Sequence, residues 1–231
     1  MKKIALFSSE KQKSCFSGKQ KFFVLLGLIC LILSGCLVKS LHPFYKPSDL
    51  VFRQDIIGAY TDQNKGVWKI EGAVNKNFLG VGKSDKQQNY YKISLLDEKK
   101  RTTTFQGCLF KLDNNYYVDF YLEKGNNDDA QTELYSYHVI GVHTVAKVLI
   151  GKNSLRIKWY NEKWLSELFE QNKIRLSHEK IEDNDAVVLT ASTNELQQFM
   201  RKFANDPKAF QKKDKEKQDE FEYVLTKMPL F

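Results

Sequence analysis

From Ile56 to the C-terminus, apolar and polar residues alternate in short runs separated by turn residues, a pattern that limits the chain to a mainly antiparallel β fold. The runs are 56–61, 66–72, 89–97, 102–112, 115–123, 134–150 (bent), 153–160, 174–181, 186–190 and 221–227. They are rich in Tyr, Phe, Val, Ile and Thr, which suit a half-buried pleat. Asp62–Gly66, Asp97–Lys100, Asp113–Asn115, Gly151–Asn153 and Asp183–Asp185 punctuate them as turns, and loops this short join neighbouring strands as hairpins. A sheet of about ten such strands must curl or split, and closure removes its exposed edges. The predicted fold is therefore mainly β: an antiparallel meander forming a barrel or a strongly curved sheet. A two-layer sandwich is the alternative.

Two helices interrupt the alternation. Asn161 is placed to cap a helix over 162–172, with Trp164, Leu165, Leu168 and Phe169 on one face. Ser192 and Glu195 have capping-box spacing and open a helix over 193–205 striped by Leu196, Phe199, Met200 and Phe203. These faces are expected to cover an open end or a flank of the sheet, or to plug a curved one. Residues 211–220, QKKDKEKQDE, contain nothing apolar and read as a solvated loop or fraying helix. Residues 221–225 read as a last strand that closes the sheet.

The N-terminus has a different grammar. Residues 22–33 form an almost uninterrupted apolar run of twelve. That is too short to span a bilayer, which takes about 20 residues, and suits a signal-peptide core of about 7–15. Six lysines against one glutamate precede Cys36, and Leu33-Ser34-Gly35-Cys36 resembles the lipobox of bacterial lipoproteins. The resemblance implies cleavage between Gly35 and Cys36, a diacylglycerol on the Cys36 thiol, and further acylation, with palmitate for example, of the new amine. Thiolate is the good nucleophile for such a transfer, and two or three acyl chains anchor stably where one does not. Lipoproteins retained at an inner membrane resemble Cys-Asp at this point. Leu37 therefore implies the outer membrane in a cell with two. The expected parts are a signal peptide (1–35), a lipidated linker and entry segment (36–55, extended around Pro43 and Pro47) and a β-rich domain (56–231).

This division explains the composition. Without the leader's six lysines and one glutamate, the 36 basic and 28 acidic residues become 30 and 27, a net charge near +3 instead of +8. The basicity is mostly a targeting signal, and no nucleic-acid partner is expected. Cys15 and Cys30 leave with the leader and Cys36 is lipidated, so Cys108 has no partner for an intrachain disulfide. It lies in an alternating strand and reads as a small buried hydrophobe.

Further motifs extend the likeness. Cys36-x-x-Ser-Leu-His-Pro-Phe-Tyr45, Asp-Leu-Val-Phe at 49–52, Gly-x-Tyr at 58–60, Val-Trp-Lys-Ile at 67–70 and Leu-Thr-Ala-Ser-Thr-x-Glu-Leu-Gln-x-Phe at 189–199 resemble a group of uncharacterised bacterial lipoproteins. That resemblance implies a location and transfers no chemistry. Gly58-x-Tyr60 with a meander and a late helix is also similar to the lipocalin superfamily, in which a Gly-x-Trp sits at the closed barrel end.

Chemistry is sparse. His138 and His143 are five apart on one predicted strand, so an ideal pleat points them to opposite faces unless a bulge at Gly141 intervenes. His178-Glu179 lacks the second histidine of a zinc-protease helix, since position 182 is Glu. Gly80-Val81-Gly82-Lys83-Ser84 lacks the leading glycine of a phosphate loop, and no Gly-x-Ser-x-Gly occurs. Neither a metal nor a cofactor is expected. The suggestive polar residue is Asp119, inside Tyr116-Tyr117-Val118-Asp119-Phe120-Tyr121, where a carboxylate needs a partner. His143 and Arg156 on neighbouring strands are candidates, and Asp119, His143 and Arg156 could line a pocket or neutralise one another. The many strand tyrosines are expected to pack across strands, or to line a lumen suited to a hydrophobic guest. The sequence thus predicts a lipid-anchored envelope protein that binds a hydrophobic small molecule or an envelope partner, or else a structural or assembly lipoprotein with no small-molecule site. No acid–base or nucleophile constellation argues for an enzyme.

Overall fold

A computed structural model describes residues 37–75, 88–123, 140–181, 186–210 and 222–229. Residues 1–36, with Gly35 and Cys36, lie outside the described residues. So do 80–84, 134–139 (with Tyr135, Tyr137 and His138) and 211–220.

Eight antiparallel strands close into a barrel. They are β2 (Gly58–Thr61), β3 (Val67–Asn75), β4 (Gln88–Leu96), β5 (Thr102–Leu112), β6 (Asn115–Leu122), β7 (His143–Ile150), β8 (Ser154–Trp159) and β11 (Glu222–Lys227). Neighbours run β6-β5-β4-β3-β2-β11-β8-β7, and the β6–β7 pairing closes the ring. The expected last strand does close the sheet, by entering between β2 and β8. Lys65, Lys100 and Asp113 take positive φ of 64°, 61° and 52° at the hairpin turns, which lets strands run back on themselves at once.

Alternation sorts the side chains. Tyr60, Trp68, Ile70, Tyr91, Ile93, Leu109, Val118, Phe120, Ala146, Val148, Leu155, Ile157, Trp159 and Leu225 point inward and form one buried cluster with Ile56. Lys69 and Glu71 alternate with them and pair outside at 2.8 Å. Eight strands enclose a space that side chains can fill. The fit is tight at Gly107, where an added Cβ would stand 2.4 Å from Ile93 Cδ1. Tyr60 is buried, and its hydroxyl donates to the Ile56 carbonyl at 2.9 Å. Lys227 lies over its ring, 5.7 Å from the centroid. Gly58 has φ +150°, and a Cβ there would meet Lys227 Cε at 2.8 Å, so this Gly-x-Tyr needs its glycine.

The helices pack on the flank and do not plug the barrel. Helices α1 (Glu162–Glu170) and α2 (Thr193–Phe203) begin at the predicted caps: Asn161 accepts from Trp164 N, and Ser192 and Glu195 form the capping box. Their apolar faces share a second buried cluster with Cys108, Phe110, Leu112, Tyr117 and Val145, the outward residues of β5–β7. This second layer explains why Tyr117 to Phe120 are buried on both faces of β6. No helix among the described residues is long and apolar enough to cross a membrane.

Three features differ from the sequence reading. A small side sheet, β1 (Lys39–Ser40), β10 (Ala186–Leu189) and β9 (His178–Ile181), branches from the start of β7. Two residues are too few to show a period, so β1 is silent in the sequence. Strand β9 starts at His178 instead of 174, because Asn172 (φ 52°) and Lys173 N, donating to Leu168 O, first terminate α1. Residues 174–177 then pack on the helix layer, with Leu176 in its core. Residues 37–57, of which 37–55 read as linker and entry, form a belt in which Val38, Phe44 and Tyr45 are buried against the outer wall and Ile56 against the lumenal cluster.

Candidate functional site

Strand β6 faces its outward residues into the second layer, so Asp119 lies beneath that layer and is 1% exposed. Burial at that depth demands partners for both carboxylate oxygens. Asp119 Oδ1 accepts from His143 Nδ1 at 2.8 Å, and Oδ2 accepts from the Phe44 backbone N–H at 2.9 Å. The pairing expected from sequence therefore forms between Asp119 and His143. It lies on the outside of the barrel wall, under the belt and the helix layer, and not in the lumen.

Arg156 does not join them. Its neighbours Leu155 and Ile157 take the inward positions of β8, so Arg156 faces outward. There it donates through Nε to Glu222 on β11 at 2.6 Å, and Lys158 approaches the same carboxylate at 3.4 Å. Glu222 stands opposite Lys158 in the β8–β11 register. That register depends on β11 entering the ring from far along the chain, so sequence proximity points Arg156 elsewhere.

The belt is fixed around the Asp119–His143 pair. Thr193 donates to the Pro43 carbonyl at 2.8 Å, and Gln197 Nε2 donates to Phe44 O at 3.2 Å and to Asp49 Oδ2 at 2.7 Å. Val51 N donates to Leu109 O, and Phe52 stacks on Tyr91 at 5.1 Å. Tyr45 packs on Phe110 at 5.9 Å. Its hydroxyl reaches no nitrogen or oxygen and adjoins the Cys108 thiol. Burial pushes the Tyr45 hydroxyl well above its ordinary range, and burial raises the Cys108 thiol to about 12. Cys108 is thus the inert buried thiol its strand position implied. The belt residues Phe44 and Tyr45 were missed as site residues, although the His42-Pro43-Phe44-Tyr45 run carries the signal. Two adjacent aromatics after a proline in a supposed linker call for a surface to bury them.

The arrangement is a clamp. A nucleophile for an Asp–His pair would have to stand next to it, and the aliphatic hydroxyl opposite His143 is that of Ser40 on β1, with Tyr121 opposite on β6. Ser40 is 0% exposed, and its Oγ accepts from His42 N at 3.1 Å, so a substrate has no path to it. Among the described residues, no three His, Cys, Asp or Glu side chains converge as a metal site. Clefts of about 230 Å³ at the rim of β6 and β7, lined by Arg53, Tyr116 and Lys147 among others, and of about 270 Å³ beside β9, with Phe169 and His178, open to the surface. Compared with known proteins, the chain matches no family model, no curated protein and no solved structure.

Proposed function

We propose that this chain is a lipid-anchored cell-envelope protein, held at the membrane through acylated Cys36, whose barrel is a structural or assembly module. The anchor is supported by the order of basic segment, twelve-residue apolar run, Leu-Ser-Gly and Cys36. One observation favours an assembly module over a carrier: the lumen is occupied by the barrel's own side chains, with Trp68, Trp159, Tyr60, Tyr91 and Phe120 among them. A carrier needs space for a guest. The outer membrane is the assigned site in a cell with two membranes, and the partner is a second envelope component.

Native mass spectrometry of the mature chain, combined with crosslinking in intact cells, tests this reading. The expected result is a barrel free of noncovalent lipid together with a crosslinked envelope protein. A stoichiometric hydrophobic small molecule that survives purification would instead establish the carrier function.

A further inference from the structure

The register of β6, β7 and β1 gathers exposed apolar side chains where β6 ends and β7 begins. Tyr121 and Ser40 both stand opposite His143, from the two sides of β7. One residue further, Leu122 and Leu41 therefore flank Val142, and Ile140 lies two residues beyond. Leu122 is 56% exposed, Ile140 74% and Leu41 41%. Ile140 and Leu122 are the most exposed of the large hydrophobic residues among those described. Three such side chains at one edge of the barrel form a patch that monomeric surfaces seldom leave to water.

The chain enters the fold beside this patch. Leu37 bridges Asn161 and packs on the lumenal cluster. Cys36 is one peptide bond away, about 3.8 Å between Cα atoms, and Leu37 to Leu41 spans at most about 14 Å of extended chain. The belt leaves no free spacer after Cys36, since Val38 and Ser40 are already buried. A lipid on Cys36 would therefore tether the domain to the bilayer within reach of Leu41, Leu122 and Ile140.

We propose that Leu41, Leu122 and Ile140 are the surface on which the barrel sits against the membrane that holds its anchor. This rests on the lipoprotein reading and adds an orientation to it.

The test uses the full-length chain matured in a bacterial host, purified and reconstituted in phosphatidylethanolamine–phosphatidylglycerol vesicles. Leu122→Cys, Ile140→Cys and, as a control on the outer face of β11, Val224→Cys each carry a spin label. Buried Cys108 and acylated Cys36 stay unlabelled. The ratio of collisions with dissolved oxygen to collisions with an aqueous nickel chelate reports depth. For residues held at the headgroup–acyl boundary, the ratio at 122 and 140 should exceed that at 224 by about tenfold. Equal ratios on an acylated, vesicle-bound chain overturn the orientation and leave the anchor standing. Low access to both reagents means that protein covers the patch, which also overturns it. A chain with no acyl group and no membrane association overturns the anchor and the orientation together.

Discussion

At Asp119 the two carboxylate oxygens do different work. One holds His143 on the neighbouring strand, and the other holds the Phe44 amide of the belt. Breaking a buried pair of this kind from one side costs about 3 kcal/mol. For a domain of this size that corresponds to a Tm about 6–12 °C lower. Asp119→Asn should show such a loss by thermal denaturation, and an unchanged Tm would mean the pair is not part of the core. Asp119 and His143 are legible in sequence because a carboxylate in an aromatic strand must have a partner. Arg156 misleads because its partner, Glu222, comes from the distant last strand. Cys108 allows a chemical check. With its thiol raised to about 12, it should resist iodoacetamide at pH 8 in the folded protein and react on unfolding. The sign of its pH effect follows. The unfolded thiol titrates near 8.5, so its contribution to stability is complete below that pH and is lost as pH rises toward 12. Urea midpoints measured from pH 8 to 11 should therefore fall, and a rise would contradict the buried-thiol assignment.

At the scale of elements, alternation and caps are legible because they are local. Strands β2–β6, β8 and both helix starts lie within a few residues of their predicted positions, and Asn161 and Ser192 serve as the caps their spacing implied, whereas β7 begins at His143 although the alternation predicts its run from 134, of which 134–139 lie outside the described residues. What the sequence hides is set by distant contacts. The two-residue β1 exists because β7 and β10 offer their edges. The side of the sheet that the helices cover depends on the outward residues of β5–β7 being apolar as well, and such two-faced strands blur the alternation. Strand β5 also carries the test of a filled barrel. Gly107 faces inward beside Ile93 and Val118, so Gly107→Val should cost about 1–3 kcal/mol by overpacking. Chemical denaturation with equal midpoints for the variant and the parent would show open space in the lumen.

At the scale of the whole molecule, a closed barrel holds its own side chains in the lumen and carries a helical outer layer. The belt locks the first described residues, Leu37 to Ile57, onto the wall. Whatever Cys36 carries is therefore held close to the folded domain, and the proposed role depends on that group. The most direct measurement is the intact mass of the full-length chain expressed in a bacterial host, beside Cys36→Ser. The account predicts a membrane-bound species that weighs residues 36–231 plus acyl chains and disappears in the variant. An uncut, unmodified chain of 231 residues in the cytoplasm would contradict it.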